Sequence, residues 1–167
     1  MKKCVYFLTS LIVALGLLTA CGCGTESQGT AGVGSATNSV QGNATSSNLG
    51  DYNVVIDSCR LAEDYSGKPI IIVKYLFTNN SGEPDSFTWS VDDNVYQDGV
   101  GLNESYFVDD SANYSSDNKT KEIKSGVTLA VEVAYELNDA TTDIEVEVAE
   151  LFSFSSSKKV TKVFTLN

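Results

Sequence analysis

Val127-Thr128-Leu129-Ala130-Val131-Glu132-Val133-Ala134-Tyr135-Glu136-Leu137 is the stretch that decides the fold. Val127, Leu129, Val131, Val133, Tyr135 and Leu137 alternate with smaller or charged residues, a period of two that sends each set to one face of a strand. Ser125-Gly126 opens the stretch and Asn138-Asp139 closes it, and both pairs are turn formers. Ile144, Val146 and Val148 alternate with Glu145 and Glu147 in the same way. One apolar and one wet face per strand is the pattern of an antiparallel sheet.

Upstream of this stretch, the run from Lys68 to Asn79 reads as a long strand. Ile71, Val73, Tyr75 and Phe77 share one face, and Ile70, Ile72 and Leu76 make the other unusually apolar. Asn79-Asn80-Ser81-Gly82-Glu83-Pro84 turns the chain into a strand with Phe87, Trp89 and Val91 on one face, closed by Asp92-Asp93-Asn94. Asp98-Gly99 between Val95-Tyr96-Gln97 and Val100-Gly101-Leu102 is a hairpin signal. Tyr52 to Leu61 supplies the first strand, and Val160 to Leu166 the last, with Val160, Phe164 and Leu166 inward. About seven or eight short strands between Asp51 and Asn167 predict an all-β, antiparallel β-sandwich. A buried Trp89 on the third strand fits an immunoglobulin-like arrangement, with a closed barrel as the other solution. Leu151, Phe152 and Phe154 are expected in the core.

The remainder of the 167 residues is accessory to that single domain. Lys2 and Lys3 precede an apolar run from Val5 to Ala20, which Thr9, Ser10 and Gly16 interrupt. The run falls short of the roughly 20 apolar residues that cross a bilayer, so residues 1–20 read as a signal peptide. Leu18-Thr19-Ala20-Cys21 resembles the lipobox of bacterial lipoproteins, which implies a diacylglyceryl thioether on Cys21 and anchoring at the extracytoplasmic face of the cell membrane. Residues 21–50 then form a linker made almost wholly of Gly, Ser, Thr, Asn, Gln and Ala whose sole charge is Glu26, a composition expected to stay disordered. Asn-x-Ser/Thr triplets such as Asn43-Ala44-Thr45 are frequent by chance in such a chain and are assigned no glycan. Residues 51–167 are the folded domain. Of the 4 cysteines, Cys4 leaves with the leader and Cys21 takes lipid. Cys59 reads as a small buried hydrophobe, and a bridge to Cys23 would drag the linker onto the domain.

Composition removes several function classes. Lys and Arg number 11 against 22 Asp and Glu, and losing Lys2 and Lys3 with the leader moves the net charge from −11 to −13. No nucleic acid is expected, since phosphates bind through clustered cations. Histidine is absent, which removes Ser-His-Asp and Cys-His nucleophiles and the commonest metal ligand.

With these residues in place, the domain resembles the immunoglobulin-like domain of Gram-positive bacterial lipoproteins that is known only as a domain of unknown function. Asp64-Tyr65-Ser66-Gly67-Lys68-Pro69 leading into Val73-Lys74-Tyr75-Leu76-Phe77-Thr78-Asn79-Asn80-Ser81 carries the resemblance. So does Lys121-Glu122-Ile123-Lys124-Ser125-Gly126 leading to Ala134-Tyr135-Glu136-Leu137 and Val146-Glu147-Val148. Ser125-Gly126 stands where the family usually has Pro-Gly, a loss of turn rigidity. The resemblance covers roughly Tyr52 to Phe154 and implies a fold, with no catalytic residues to transfer.

Three chemistries can be set against these residues. Asp92, Asp93, Asp109 and Asp110 fall in expected loops and could gather around Ca²⁺, which takes six to eight oxygens. Asp109-x-Ser111-x-Asn113 resembles the start of an EF-hand loop, but Tyr114 stands at its glycine position and Thr120 at its bidentate glutamate, so acidic loops that solvate the surface are the plainer reading. Catalysis would need a Ser–Lys dyad or a carboxylate pair, and no Ser-x-x-Lys sits on a helical pattern, so no catalytic residue is assigned. Lys74, mid-strand, has no identifiable partner for an isopeptide crosslink. Recognition is favoured: Tyr106, Phe107 and Tyr114 lie among Asp, Ser and Asn, where aromatic rings give contact area at low entropic cost. The plainer alternative makes Tyr106, Phe107 and Val108 another core strand. The expected role is a non-catalytic binding module for an envelope or extracellular protein or glycan. A calcium-dependent adhesive domain and an envelope enzyme using carboxylates are the alternatives.

Overall fold

The computed structural model describes residues 39–40, 45–152 and 158–166. The signal peptide, Cys21, Cys23 and Phe154 lie outside them. Nine strands follow one another among the described residues: β1 (Ser39–Val40), β2 (Thr45–Leu49), β3 (Tyr52–Glu63), β4 (Pro69–Asn79), β5 (Val91–Gln97), β6 (Val100–Gly101), β7 (Thr128–Glu136), β8 (Ile144–Glu150) and β9 (Lys159–Phe164). A single helical turn, α1 (Phe87–Ser90), precedes β5. No helix among the described residues is long and apolar enough to cross a membrane.

The strands form two antiparallel sheets. In the first, β3 pairs with β4 and β4 with β7, while β1 and β2 share the other edge of β3. In the second the order is β6-β5-β8-β9. The inward sets of the alternating strands meet between them. Ile71, Val73, Tyr75 and Phe77 of β4 and Val131, Val133 and Tyr135 of β7 join Val95 of β5, Val146 and Val148 of β8, and Val160 and Phe164 of β9 in one core. Each such residue, fully buried, contributes about 1.5–3 kcal/mol of hydrophobic stabilisation. The result is a β-sandwich, as the period-two pattern predicts. Asp98 (φ 52°) and Gly99 (φ 75°) both adopt positive φ, the type I′ hairpin that Asp-Gly favours, between β5 and β6.

Phe87 and Trp89 do not share a strand face. Ser90 and Trp89 donate their amides to the Ser86 carbonyl at 3.1 and 3.2 Å, and the Ser90 hydroxyl does so at 2.7 Å, which winds α1. In a helical turn residues two apart point roughly 200° apart, so Phe87 enters the core against Tyr75 and Phe77 while Trp89 faces solvent. The buried tryptophan that suggested an immunoglobulin-like arrangement is therefore absent from the core. Leu151 and Phe152, expected inside, are exposed just beyond the end of β8. Asp92-Asp93-Asn94 does not end a strand but lies within β5, paired with Ala149, Val148 and Glu147.

The folded region also begins before Asp51. Thr45–Leu49, part of the stretch read as linker, pairs in register with Tyr52 to Ile56, and Leu49 is buried in the core. Main-chain hydrogen bonds hold this edge strand, so polar side chains suffice everywhere except at Leu49. Cys59 is a free, buried thiol, pushed up to about 12 by desolvation.

Candidate functional site

The chain between β6 and β7 is too long for a hairpin and lies across the outer face of the first sheet. It starts on the open edge of β7, where Ser105 donates its amide to Ala134 and Glu136 donates to Asn103. It then reaches the far end of β3, where Val108 bridges Asp64 and the Asp109 amide donates to Glu63. Val108 seats there on Ile70, Ile72 and Ala134, with Ala112 and Tyr114 packed beside them. This second, smaller cluster explains the unusually apolar outer face of β4. Arg60 clamps Glu132 across the same face with two hydrogen bonds of 2.5 and 2.9 Å.

Two 3₁₀ turns shape the rest of the loop, Asp110–Ala112 and Asp117–Lys119. Asp109 caps the first by accepting from the Ser111 amide, and these hydrogen bonds hold its carboxyl below the usual range. Asp110 accepts from the Tyr65 hydroxyl at 3.0 Å. Asn118 in the second turn donates to Ala130 on β7 at 2.8 Å, returning the loop to its starting edge.

Backbone placement sorts the three aromatic candidates. Val108 is buried, while Tyr106 and Phe107 face solvent at 75% and 68% exposure. Tyr65 (63%) flanks the same Asp64–Val108 bridge, and Trp89 (67%) follows Thr88, whose hydroxyl donates to the Lys119 carbonyl at 3.0 Å. Tyr114 is different. It is half-buried against the Ile70–Ile72 cluster and serves the fold of the loop. Tyr65 and Trp89 were missed in the sequence, Tyr65 because it sits in a turn and Trp89 because an apolar alternation had assigned it inward.

Between α1, Glu104 to Tyr106 and the second 3₁₀ turn lies a cavity of about 310 Å³ lined by polar groups and by Tyr106. Its Lys119 and Glu104 form an ion pair at 2.6 Å. Behind that pair, on β5, Asp93 accepts a hydrogen bond from the Tyr135 hydroxyl of β7. Burial pushes the Asp93 carboxyl up to about 6, against the opposing pull of the Tyr135 hydroxyl and of the Lys119 charge. This half-buried carboxylate, a calcium candidate in the sequence, bonds to a tyrosine instead.

The four acidic candidates do not assemble. Asp92 and Asp93 point to opposite faces of β5, Asp92 exposed and bonded to Asn94, Asp93 bonded to Tyr135. Asp109 and Asp110 are engaged in the loop on the other sheet. No group of three or more Asp, Glu or Cys able to hold a metal ion forms among the described residues. Lys74 pairs with Asp57 at 3.1 Å on the surface.

Residues 35–150 match the family model described as "Domain of unknown function (DUF5067)". Among solved structures, a conserved hypothetical protein from Bacillus anthracis is similar with a TM-score of 0.51 at 14% identity, covering 76% of this chain and 99% of that one. A candidate lipoprotein from Staphylococcus aureus is similar with a TM-score of 0.48 at 21% identity, covering 74% of this chain and 94% of that one. A functionally unknown protein from Listeria monocytogenes gives 0.49 at 11% identity, covering 78% and 89%. The Bacillus anthracis likeness is one of fold alone. A search of the curated proteins finds no match.

Proposed function

We propose that this chain, which belongs to the DUF5067 family, works as a non-catalytic binding module held at the outer face of a bacterial cell membrane. The lipobox Leu18-Thr19-Ala20-Cys21 supports the anchor, with two acyl chains on one cysteine giving firm attachment. The partner is a protein or glycan of the envelope or the extracellular space. A net charge of −13 without the leader favours neutral or cationic partners over phosphate-rich ones.

The observation that carries this reading is the exposure of Tyr65, Tyr106, Phe107 and Trp89 on and around one rigidly pinned loop. Large aromatic rings left in water lower solubility and contribute nothing to the core. Rings presented by a fixed backbone are suited to recognition, because little entropy is lost when they are covered. Their neighbours are mostly acidic or hydroxylic: Asp110 bonds to Tyr65, and Ser116 and Asp117 line a cavity with Tyr106. That is the composition of an apolar contact with a polar rim.

The test uses the soluble domain and isolated cell envelopes in a sedimentation assay. Retention of the wild type, lost on Tyr65→Ser, Tyr106→Ser and Phe107→Ser in combination, supports the module. Each of these side chains is exposed, so the triple variant is expected to keep its fold, which circular dichroism checks. Protease treatment of the envelopes removes a protein partner, and periodate treatment removes a glycan. Equal retention of wild type and triple variant, or no retention of either, overturns the reading.

A further inference from the structure

Resting on that reading and narrowing it, we propose that the cavity between α1, Glu104 to Tyr106 and the Asp117–Lys119 turn is a subsite for one neutral sugar ring. Its volume of about 310 Å³ lies at the small end of ligand pockets, enough for a single ring and too little for a drug-sized molecule.

The lining selects the ligand class. Thr88, Ser116 and Thr120 bring hydroxyl groups, Glu104 and Asp117 carboxylates, Lys119 an ammonium, and Tyr106 the one ring. A wholly apolar ligand would cover the apolar share of the lining but strip water from the Glu104, Asp117 and Lys119 charges and return no hydrogen bond. An anion such as a phosphate or uronate would face two carboxylates against one ammonium. A compact cation would meet Lys119 inside the cavity and find only the exposed Asp117 without an ion pair, where water screens the attraction. A sugar hydroxyl both donates and accepts, so it can donate to Glu104 or Asp117 and accept from Lys119 at once. The ring's C–H face can lie on Tyr106, whose π-face is its electron-rich side.

The site is already held in place. Lys119 donates its amide to Ser116 at 3.0 Å, and its carbonyl accepts from Thr88, so α1 and the 3₁₀ turn are tied together. Glu104 is fixed by its bridge to Tyr135 on β7 and by the 2.6 Å pair with Lys119. A neutral ligand therefore need not break a salt bridge or order a loop on arrival.

The experiment is an amide-resolved NMR titration of the soluble domain with the methyl glycosides of glucose, galactose, mannose and N-acetylglucosamine. Glucosamine and glucuronate serve as charged counterparts. The expected result is saturable shifts confined to Thr88, Glu104 to Tyr106 and Ser116 to Thr120 for at least one neutral sugar. Tyr106→Ala and Asp117→Asn each then weaken binding at least tenfold, and Val163→Ala, on the exposed face of β9 away from the cavity, leaves it unchanged. Shifts with glucosamine alone or glucuronate alone would overturn the neutral-sugar assignment, and so would no shift with any neutral sugar. If envelope retention depends on the aromatic side chains while no sugar shifts the cavity, only the subsite fails. If a sugar binds while retention is absent, the subsite stands and the wider docking surface fails.

Discussion

The Lys162 ammonium lies 2.7 Å from the carbonyl oxygen of Asp57, at the place where β3 slips register against β4 between Ile56 and Ser58. The same group donates to the Ile56 carbonyl at 3.0 Å and sits 4.4 Å from the Phe164 ring centre. A β-bulge turns carbonyls away from their ladder partners, and here a buried cation from the opposite sheet meets them. Burial disfavours the charge and lowers the Lys162 pKa, so the bulge is held against a desolvation cost.

Lys162→Met keeps the aliphatic stem and removes the donor. It should destabilise the domain by about 1–3 kcal/mol, with faster amide exchange concentrated around residues 56–58. Urea denaturation gives the energy and exchange NMR the location. An unchanged midpoint would mean that water replaces the ammonium without loss.

Asp93 sets a pH dependence. Its folded pKa of about 6 lies above the unfolded carboxylate value, so the folded state holds the extra proton between roughly pH 4 and 6. Stability from this group is full below pH 4 and is lost as pH rises through 6. The groups facing it are Tyr135 and Tyr75 from the first sheet, and Lys119 and Glu104 from the loop. The tyrosines, raised further by burial, stay neutral throughout this window. Asp93→Asn should flatten the Tm profile between pH 4 and 6 and stabilise the domain by about 1–3 kcal/mol at pH 7. A wild-type profile already flat in that window would rule this out.

How much of this was legible depended on the kind of force holding each part. The β7 alternation and the Asp98-Gly99 hairpin are local signals, so side-chain period and turn chemistry sufficed. The turn α1 spans four residues, too few to show a helical period, so Trp89 was carried inward by a strand pattern that does not exist there. β2 is held by main-chain bonds that polar side chains do not advertise. The apolar Ile70 and Ile72 did announce that something covers the outer face of β4, and Val108 was the residue to do it. The cavity joins α1 to residues 104–120, a non-local meeting that no single window of sequence contains.

Gln97 shows how one buried amide organises a distant turn. Its Nε2 donates to the carbonyls of Asp139 and Thr142 at 3.0 and 2.9 Å, while its Oε1 accepts from the amides of Asn138 and Asp139. Gln97→Leu fills the space and leaves those groups unpaired, at a cost of about 2–4 kcal/mol. Asp139, whose carboxyl accepts from Thr141 and Thr142, keeps its own local turn. The loss should therefore appear as detachment of the 138–142 turn, seen as exchange of the Asn138 amide at a stability cost well below global unfolding.

Gly50 closes the β2–β3 hairpin at φ +63°, and a Cβ built there would fall 2.9 Å from the Glu150 carboxylate. Two effects therefore oppose Gly50→Ala, and they can be separated. The backbone strain belongs to the residue itself and costs about 1–2 kcal/mol for an L side chain. The steric conflict involves the far end of a flexible glutamate, which can rotate away at little cost. A double-mutant cycle with Glu150→Ala should accordingly show a coupling below about 0.5 kcal/mol, with the Gly50→Ala loss almost unchanged in the Glu150→Ala background. A coupling that recovers most of the loss would place the conflict at Glu150 and show that the hairpin backbone tolerates alanine. Because β2 lies in a stretch whose composition reads as linker, the same variant should expose the Ser47 amide to exchange before the amides of β4, which is paired on both edges.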